Sequence, residues 1–276
     1  MIGNSDKHMY QPGLLYVPFG RMFESELFRD QRKVLDDRVP YFIDPATNID
    51  VDAKVVTTES GKTHAYNYLV IATGSRIMPQ SIPGIAEGAH WFYDRDGARK
   101  MRDALAEFEG GKIVVNVNAP HKCPVAPLEI TFMLYDYLTH KGVMDKSEIM
   151  STYPIGRLHE LEPVALWAQP EMDKLGIKHE TFFNTKEVDP ENKTITSEEG
   201  STLDYDMLVT IPPHQGAAVI AELGLGDGGW VPTDRDKLYR EGSTDIFVCG
   251  DTANIPISKA GSTAHFEADT IVDNLS

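Results

Sequence analysis

Cys123 stands in a segment whose residue types suit thiol chemistry. Residues 118–127 read NAPHKCPVAP, so Pro120, Pro124 and Pro127 frame the sulfur, with His121 and Lys122 directly before it. A cysteine beside basic residues and at a helix N-terminus is driven toward the thiolate, the nucleophilic form. His121 and Lys122 are the groups available to favour that thiolate. The same position also suits a structural cysteine between a strand and a helix, and the local sequence leaves both readings open. His159 and His214, near turn-forming prolines, read first as surface histidines and second as candidate proton relays.

The elements that must position this sulfur are legible on either side of it. Residues 113–117 form the β-branched run of a buried parallel strand. From Leu128 the apolar residues Leu128, Phe132, Tyr135 and Leu138 recur at helical spacing. In a dinucleotide-binding βαβ unit the intervening turn is rich in glycine, so that bare backbone can approach a pyrophosphate at the helix N-terminus. Here the turn holds no glycine, and a nicotinamide dinucleotide fits it poorly. Helices are predicted over 24–37, 94–109 and 164–175, and strands over 39–43, 51–57, 64–71, 147–152 and 178–183. Alternation of this kind implies a parallel sheet with right-handed crossovers.

A second pattern runs through the chain. Gly61, Thr63, Tyr66, Leu69 and Val70 recur as Gly200, Thr202, Tyr205, Leu208 and Val209, at a constant offset of 139. Five matches in one hairpin context predict an internal repeat and two related α/β units. Only the first copy runs into Ala72-Thr73-Gly74. The glycines of 224–229 mimic a phosphate loop, but they precede Trp230 and Pro232 and follow no strand, so a turn is predicted. Near the C-terminus, residues 244–248 form a buried strand ending at Cys249, Gly250 and Asp251. This places a carboxylate at a sheet edge, where it can accept a hydrogen bond from a polyol hydroxyl.

Composition narrows the function classes. The chain has 276 residues, 41% of them hydrophobic and 25% charged, as in a soluble globular protein. A formal charge of -16 argues against nucleic acid as a partner. No apolar run is long enough to cross a bilayer, and residues 1–8 show no signal-peptide pattern. Two cysteines exclude a disulfide scaffold and a cysteine zinc site, and no metal is expected. Cys249, inside its strand, reads as a buried core residue.

Three features in order, YLVIATG at 68–74, the cysteine loop, and DIFVCGD at 245–251, resemble the FAD-dependent pyridine nucleotide-disulfide oxidoreductase superfamily. Within it, KCPVAPLE at 122–129 is similar to the sulfide:quinone oxidoreductase branch. The resemblance covers nearly the whole chain. It implies an α/β fold of two nested Rossmann-like units with β-hairpin insertions, the first βα unit missing. The FAD-binding domain would comprise 1–88 and 231–276, and a second dinucleotide-fold domain 89–230 would carry the redox cysteine. By the same resemblance Cys123 is catalytic, Ala72, Thr73 and Gly74 line the FAD diphosphate, and Asp251 after Gly250 holds the ribityl chain. Lys259 and Gly261 would lie near the isoalloxazine, Gly3 and Asn4 at the adenosine ribose, and Ala46 near the adenine.

The implied activity is oxidation of sulfide to polysulfide or sulfur through a cysteine persulfide, with electrons passing through FAD to a quinone, or to a cytochrome. The implied location is cytoplasmic, with the full-length parent peripheral on the inner face of the membrane. Departures accompany the resemblance. The glycine-rich FAD loop and the partner cysteine of Cys123 are expected in sequence beyond the two ends of this chain. The alternatives are a type II NADH:quinone oxidoreductase-like enzyme, which needs a glycine-rich turn after 113–117, and an inactive fragment without FAD.

Overall fold

Four parallel strands organise the part of the chain that carries Cys123. The computed structural model describes residues 1–275. In it, helix α1 (Arg95–Glu107) leads to strand β1 (Gly111–Val117) and helix α2 (Ala126–Lys141). Strand β2 (Ser147–Tyr153), helix α3 (Glu162–Lys174), strand β3 (Lys178–Thr181) and strand β4 (Met207–Ile211) follow. The sheet order is β3-β2-β1-β4, and every neighbouring pair is parallel. Residues 113–117 are fully buried, as expected for a strand covered on both faces. The order reverses between β1 and β4, and the loop after β1 therefore lies at the switch point where open α/β sheets bind ligands. Cys123 is in that loop.

The helices follow from local chemistry. Asp94 caps α1, its carboxylate accepting the Gly97 N–H at 2.7 Å, and Ala98, Met101 and Leu105 are buried at helical spacing. The buried face of α2 is rotated from the predicted one. Ile130, Leu134 and Leu138 are at its centre with Leu128, while Phe132 and Tyr135 are only half-buried. Gly142, left-handed at φ 76°, ends α2.

The internal repeat is structural. Strands Ala46–Asp50, Val55–Thr58 and Thr63–Ala65 form an antiparallel meander, and Thr185–Asp189, Thr194–Ser197 and Thr202–Asp204 repeat it with every boundary displaced by 139. Both first strands carry an irregularity at the same place, Ala46/Asn48 and Thr185/Glu187. Lys54 and Lys193 are both left-handed, at φ 55° and 51°. Their carbonyls accept the Tyr66 and Tyr205 amides, each at 3.0 Å. Each meander feeds a parallel strand: β4 beside β1, and Leu69–Ile71 beside Ile246–Val248.

Two compact units result. The first comprises Met1–Met9, Phe28–Arg76 and the chain from Gln215, and the second Tyr10–Leu27 and Ile77–His214. These divisions fall at 76/77 and 214/215, where the sequence reading put 88/89 and 230/231. The first unit buries Ile71, Ile220, Val231, Ile246, Phe247, Val248 and Ile271 together. Its last helix is α4 (Gly261–Leu275); Ser276 lies outside the described residues.

Some predicted elements differ. No helix spans 24–37; short 3-10 turns flank the strand Phe28–Asp30, which pairs antiparallel with Lys7–Met9. Only Leu27 of the flanking turns is buried, so there is no apolar stripe to hold a helix, and Asp30 accepts the Arg32 N–H and starts a new turn. The predicted strands 51–57 and 64–71 are interrupted, as is the corresponding stretch 203–211 of the second copy. Asp50 accepts the Asp52 and Ala53 amides and turns the chain before Lys54, while the Tyr66 and Tyr205 amides close the second break in each copy. The strand predicted at 39–43 is confined to Phe42–Ile43. Residues 224–229 form a turn, with the Trp230 N–H bonded to Asp227 O at 3.0 Å.

Candidate functional site

In the second unit, the backbone at Cys123 is left-handed, at φ 59°. Non-glycine residues adopt this region at a cost of about 1 kcal/mol, so the surroundings must hold it. The Lys122 carbonyl, in the peptide bond that precedes Cys123, is the anchor. It accepts from the Tyr93 hydroxyl at 3.2 Å and from His121 Nδ1 at 3.2 Å. The Lys122 side chain is also held, donating from Nζ to Gln11 Oε1 at 2.8 Å.

The thiol is half-buried and free. Burial pushes its pKa up, the Ala126 and Val125 amides pull it down, and the charge of Glu129 in the first turn of α2 pushes it up again. Lys122 favours the thiolate only as the smallest of these influences. Burial also lowers the His121 pKa and keeps that ring neutral. The lowered thiol pKa anticipated from the basic neighbours is therefore absent: the first turn of α2 acts on the sulfur more strongly than the lysine, and desolvation outweighs both.

His159 and His214 are buried, each 1% exposed, which corrects their reading as surface residues. His159 Nδ1 accepts the Leu161 N–H at 2.9 Å, so its proton is on Nε2. His214 Nδ1 lies 2.9 Å from the Pro212 carbonyl and must donate to it, leaving Nε2 unprotonated. Neither Nε2 has a protein partner. Burial, followed by the charge of Lys122, pushes the His214 pKa down to about 3. Tyr153 approaches His121 Nε2 at 3.5 Å, and the Tyr93 ring meets the His214 ring edge-on at 4.8 Å. Beneath the loop lies a buried polar cluster. Asn116 donates to Thr152 and Thr185 at 3.0 and 2.9 Å and accepts from Asn118 at 2.8 Å. Thr210 completes it, 3.2 Å from Asn116 Oδ1. Sequence reasoning missed Tyr93, Asn116, Asn118 and the three threonines. The aromatic run 91–93 before the Asp94 cap was the one available signal for Tyr93.

In the first unit, the structure brings Thr73, Gly74, Gly250, Asp251 and Lys259 together. Thr252 Oγ1 accepts the Gly74 N–H at 2.7 Å and lies 3.2 Å from Thr73 Oγ1. The Ser75 hydroxyl donates to Asp251 Oδ2 at 2.7 Å. Lys259 Nζ donates to the Asp251 and Ala253 carbonyls at 3.1 and 2.7 Å and sits 4.4 Å over the Trp230 ring. Burial lowers the Lys259 pKa and raises that of Glu267, whose carboxylate accepts the Gly250 N–H. Ala72 follows Leu69–Ile71, and Gly261 begins α4. A Cβ added at Gly74 or Gly261 would meet nothing within 4 Å, so the backbone there is open. Gly3 O accepts the Asp44 N–H at 2.9 Å, and Ala46 begins the next strand two residues later. The Tyr41 ring covers Gly3, its hydroxyl 2.3 Å from where a Cβ would stand, and Asn4 is exposed. Cys249 is half-buried rather than fully buried, its Sγ 3.5 Å from Ala264 O.

No family model matches the chain. Over 98% of its length it is 26% identical to the mitochondrial sulfide:quinone oxidoreductase of Dictyostelium discoideum. Over 94% it is 27% identical to that of Mus musculus. It spans 63% and 60% of those two proteins, so less than two thirds of either. It matches the solved sulfide:quinone oxidoreductase of Aquifex aeolicus with a TM-score of 0.84, over 99% of this chain and 68% of that one, at 19% identity, a likeness of fold. In sequence and in fold the chain is similar to sulfide:quinone oxidoreductases.

Proposed function

We propose that the protein oxidises sulfide with Cys123 as the sulfur that receives it. Hydrosulfide attacks the Cys123 sulfur of a disulfide between Cys123 and a second cysteine; the second sulfur leaves as thiolate and Cys123 carries the added sulfur as a persulfide. A further hydrosulfide attacks that outer sulfur, breaking its bond to Cys123 and leaving as HSS⁻ with Cys123 as thiolate. The observation that carries this reading is the proline-framed cysteine at the switch point of the β3-β2-β1-β4 sheet, where a nicotinamide-binding unit needs bare glycine backbone. The same observation disfavours the NADH-oxidising alternative. The relatives' names supply the substrate and a quinone as acceptor.

Bound FAD would supply the two-electron acceptor that returns the cysteine sulfur to the oxidised state. The residues of the first unit suit it. Open backbone at Gly74 and Gly261 admits close approach, Asp251 offers a carboxylate to a polyol hydroxyl, and Lys259 offers a desolvated cation. Ala72, Thr73 and Gly250 extend that surface, and Gly3, Asn4 and Ala46 are assigned to the adenosine end. At Cys123, the Ala126 and Val125 amides stabilise negative charge on sulfur, and Glu129 is the nearby carboxylate able to hold a proton that the sulfur sheds. No helix among the described residues is long and apolar enough to cross a membrane, and a quinone acceptor places the protein at a membrane surface.

The test is rapid mixing of the FAD-loaded enzyme with sulfide or with NADH. Sulfide should bleach the flavin, and Cys123→Ser should abolish that bleaching. Bleaching by NADH alone, or undiminished reduction by sulfide in the variant, would refute the assignment.

A further inference from the structure

The feature the proposed reaction leaves unexplained is the conformation of Cys123 itself. A cysteine at φ 59° is in a region that favours glycine, and no glycine stands anywhere in 118–127. Two side chains from different parts of the second unit converge on the one carbonyl that sets this conformation. Tyr93, two residues before α1, donates its hydroxyl to Lys122 O at 3.2 Å, and His121 places Nδ1 3.2 Å from the same oxygen. A carbonyl cannot donate, so His121 Nδ1 carries the proton, and Nε2 is left to accept from Tyr153 at 3.5 Å. Lys122 Nζ is tethered separately to Gln11.

We infer that Tyr93 and His121 are positioning residues for Cys123: through the Lys122 carbonyl they share, they fix the Lys122–Cys123 peptide plane, hold Cys123 left-handed and so set the direction of its sulfur. Rotating that plane redirects the sulfur relative to the Ala126 and Val125 amides, which favour its ionised form more than Lys122 does. The opposing groups, Glu129 and the surrounding apolar bulk, stay in place. The thiolate is then harder to form, and the sulfur points elsewhere. Tyr93 is well suited to this strap because its ring is fixed independently, stacked on Phe92 at 4.8 Å and edge-on to His214 at 4.8 Å.

The inference concerns the sulfur named in the proposed function, but its test does not need sulfide. In the full chain carrying Cys249→Ala, the rate of iodoacetamide alkylation of Cys123 is followed by mass spectrometry as a function of pH. Tyr93→Phe keeps both ring contacts and removes one strap. It should raise the midpoint of the pH profile by about one unit, which is about a tenfold lower rate at any pH below both midpoints. His121→Leu should act in the same direction, and His121→Asn, whose side-chain amide can donate from the position of Nδ1, should restore the profile. A Tyr93→Phe profile that overlays the parent's would overturn the strap, as would His121→Asn behaving like His121→Leu. If His121→Leu fails to fold, Tyr93→Phe decides the question alone. A Cys123→Ser enzyme that still oxidises sulfide would sink the proposed function and leave the strap standing.

Discussion

Replacing Asn116 by valine should damage the second unit well beyond what its size change implies. The residue is fully buried in β1, and its amide serves four neighbours. Valine suits a central strand and keeps most of the volume, so the loss is mainly polar. Asn118 retains the Ile211 carbonyl at 3.1 Å and Thr210 at 3.1 Å, and Thr210 retains Asn116 O at 3.3 Å. The groups left without partners are therefore the hydroxyls of Thr152 and Thr185. At about 1–3 kcal/mol for each buried group left unsatisfied, with Thr185 only half-buried, the destabilisation is about 2–4 kcal/mol. For a unit of this size that corresponds to a fall in Tm of roughly 5–15 °C, read by scanning calorimetry. Adding Thr152→Val, which removes one orphan, should recover part of the loss in a double-mutant cycle. A Tm within about 2 °C of the parent, or two variants whose effects simply add, would refute the claim that this cluster carries stability.

Buried His214 should make stability fall with acid. Its folded pKa of about 3 lies below the ordinary 6.5, so the unfolded chain takes up a proton first as pH drops. Stability fully present above 6.5 is then lost toward 3, at up to about 1.4 kcal/mol per pH unit. His121 and His159, also lowered, add to this, and Glu129, raised, opposes it. Urea melts at pH 7 and 5 should show a shallower loss in His214→Phe, and equal losses would contradict the assignment. In the 224–229 turn, a Cβ at Gly226 would stand 2.0 Å from Trp230 O. Gly226→Ala should therefore cost about 1–3 kcal/mol, and a variant as stable as the parent would show that the turn can open.

Much of this architecture was legible because periodicity and offset report backbone geometry. The 139-residue repeat was read from five side chains. It extended to strand bounds, a shared irregularity and a pair of left-handed lysines, because each of those is fixed by the same short hairpin. The helix predicted at 24–37 failed for the converse reason: its charged residues were read as one face, but only Leu27 finds a core. The site shows the same division. The strand and helix flanking Cys123 were legible from their own residues, whereas the grouping of Thr73, Gly74 and Ser75 with Asp251 and Thr252 is side-chain bonding that no periodicity reports.

What the sequence could not carry is desolvation. Lys122 and His121 look activating when read beside Cys123, since proximity in the chain suggests proximity of charge. Folding engages the lysine with Gln11 and buries the histidine. It also brings Glu129 from six residues away to act on the sulfur. A raised thiol pKa is still compatible with sulfide chemistry, because in the proposed step the nucleophile is the incoming hydrosulfide and Cys123 is attacked as one sulfur of a disulfide. The demand on the protein is then direction more than acidity. That is the demand a carbonyl fixed by both a tyrosine and a histidine is built to meet, and burial disfavours the charged form of both, raising the pKa of the phenol thirty positions upstream and lowering that of the ring beside Lys122.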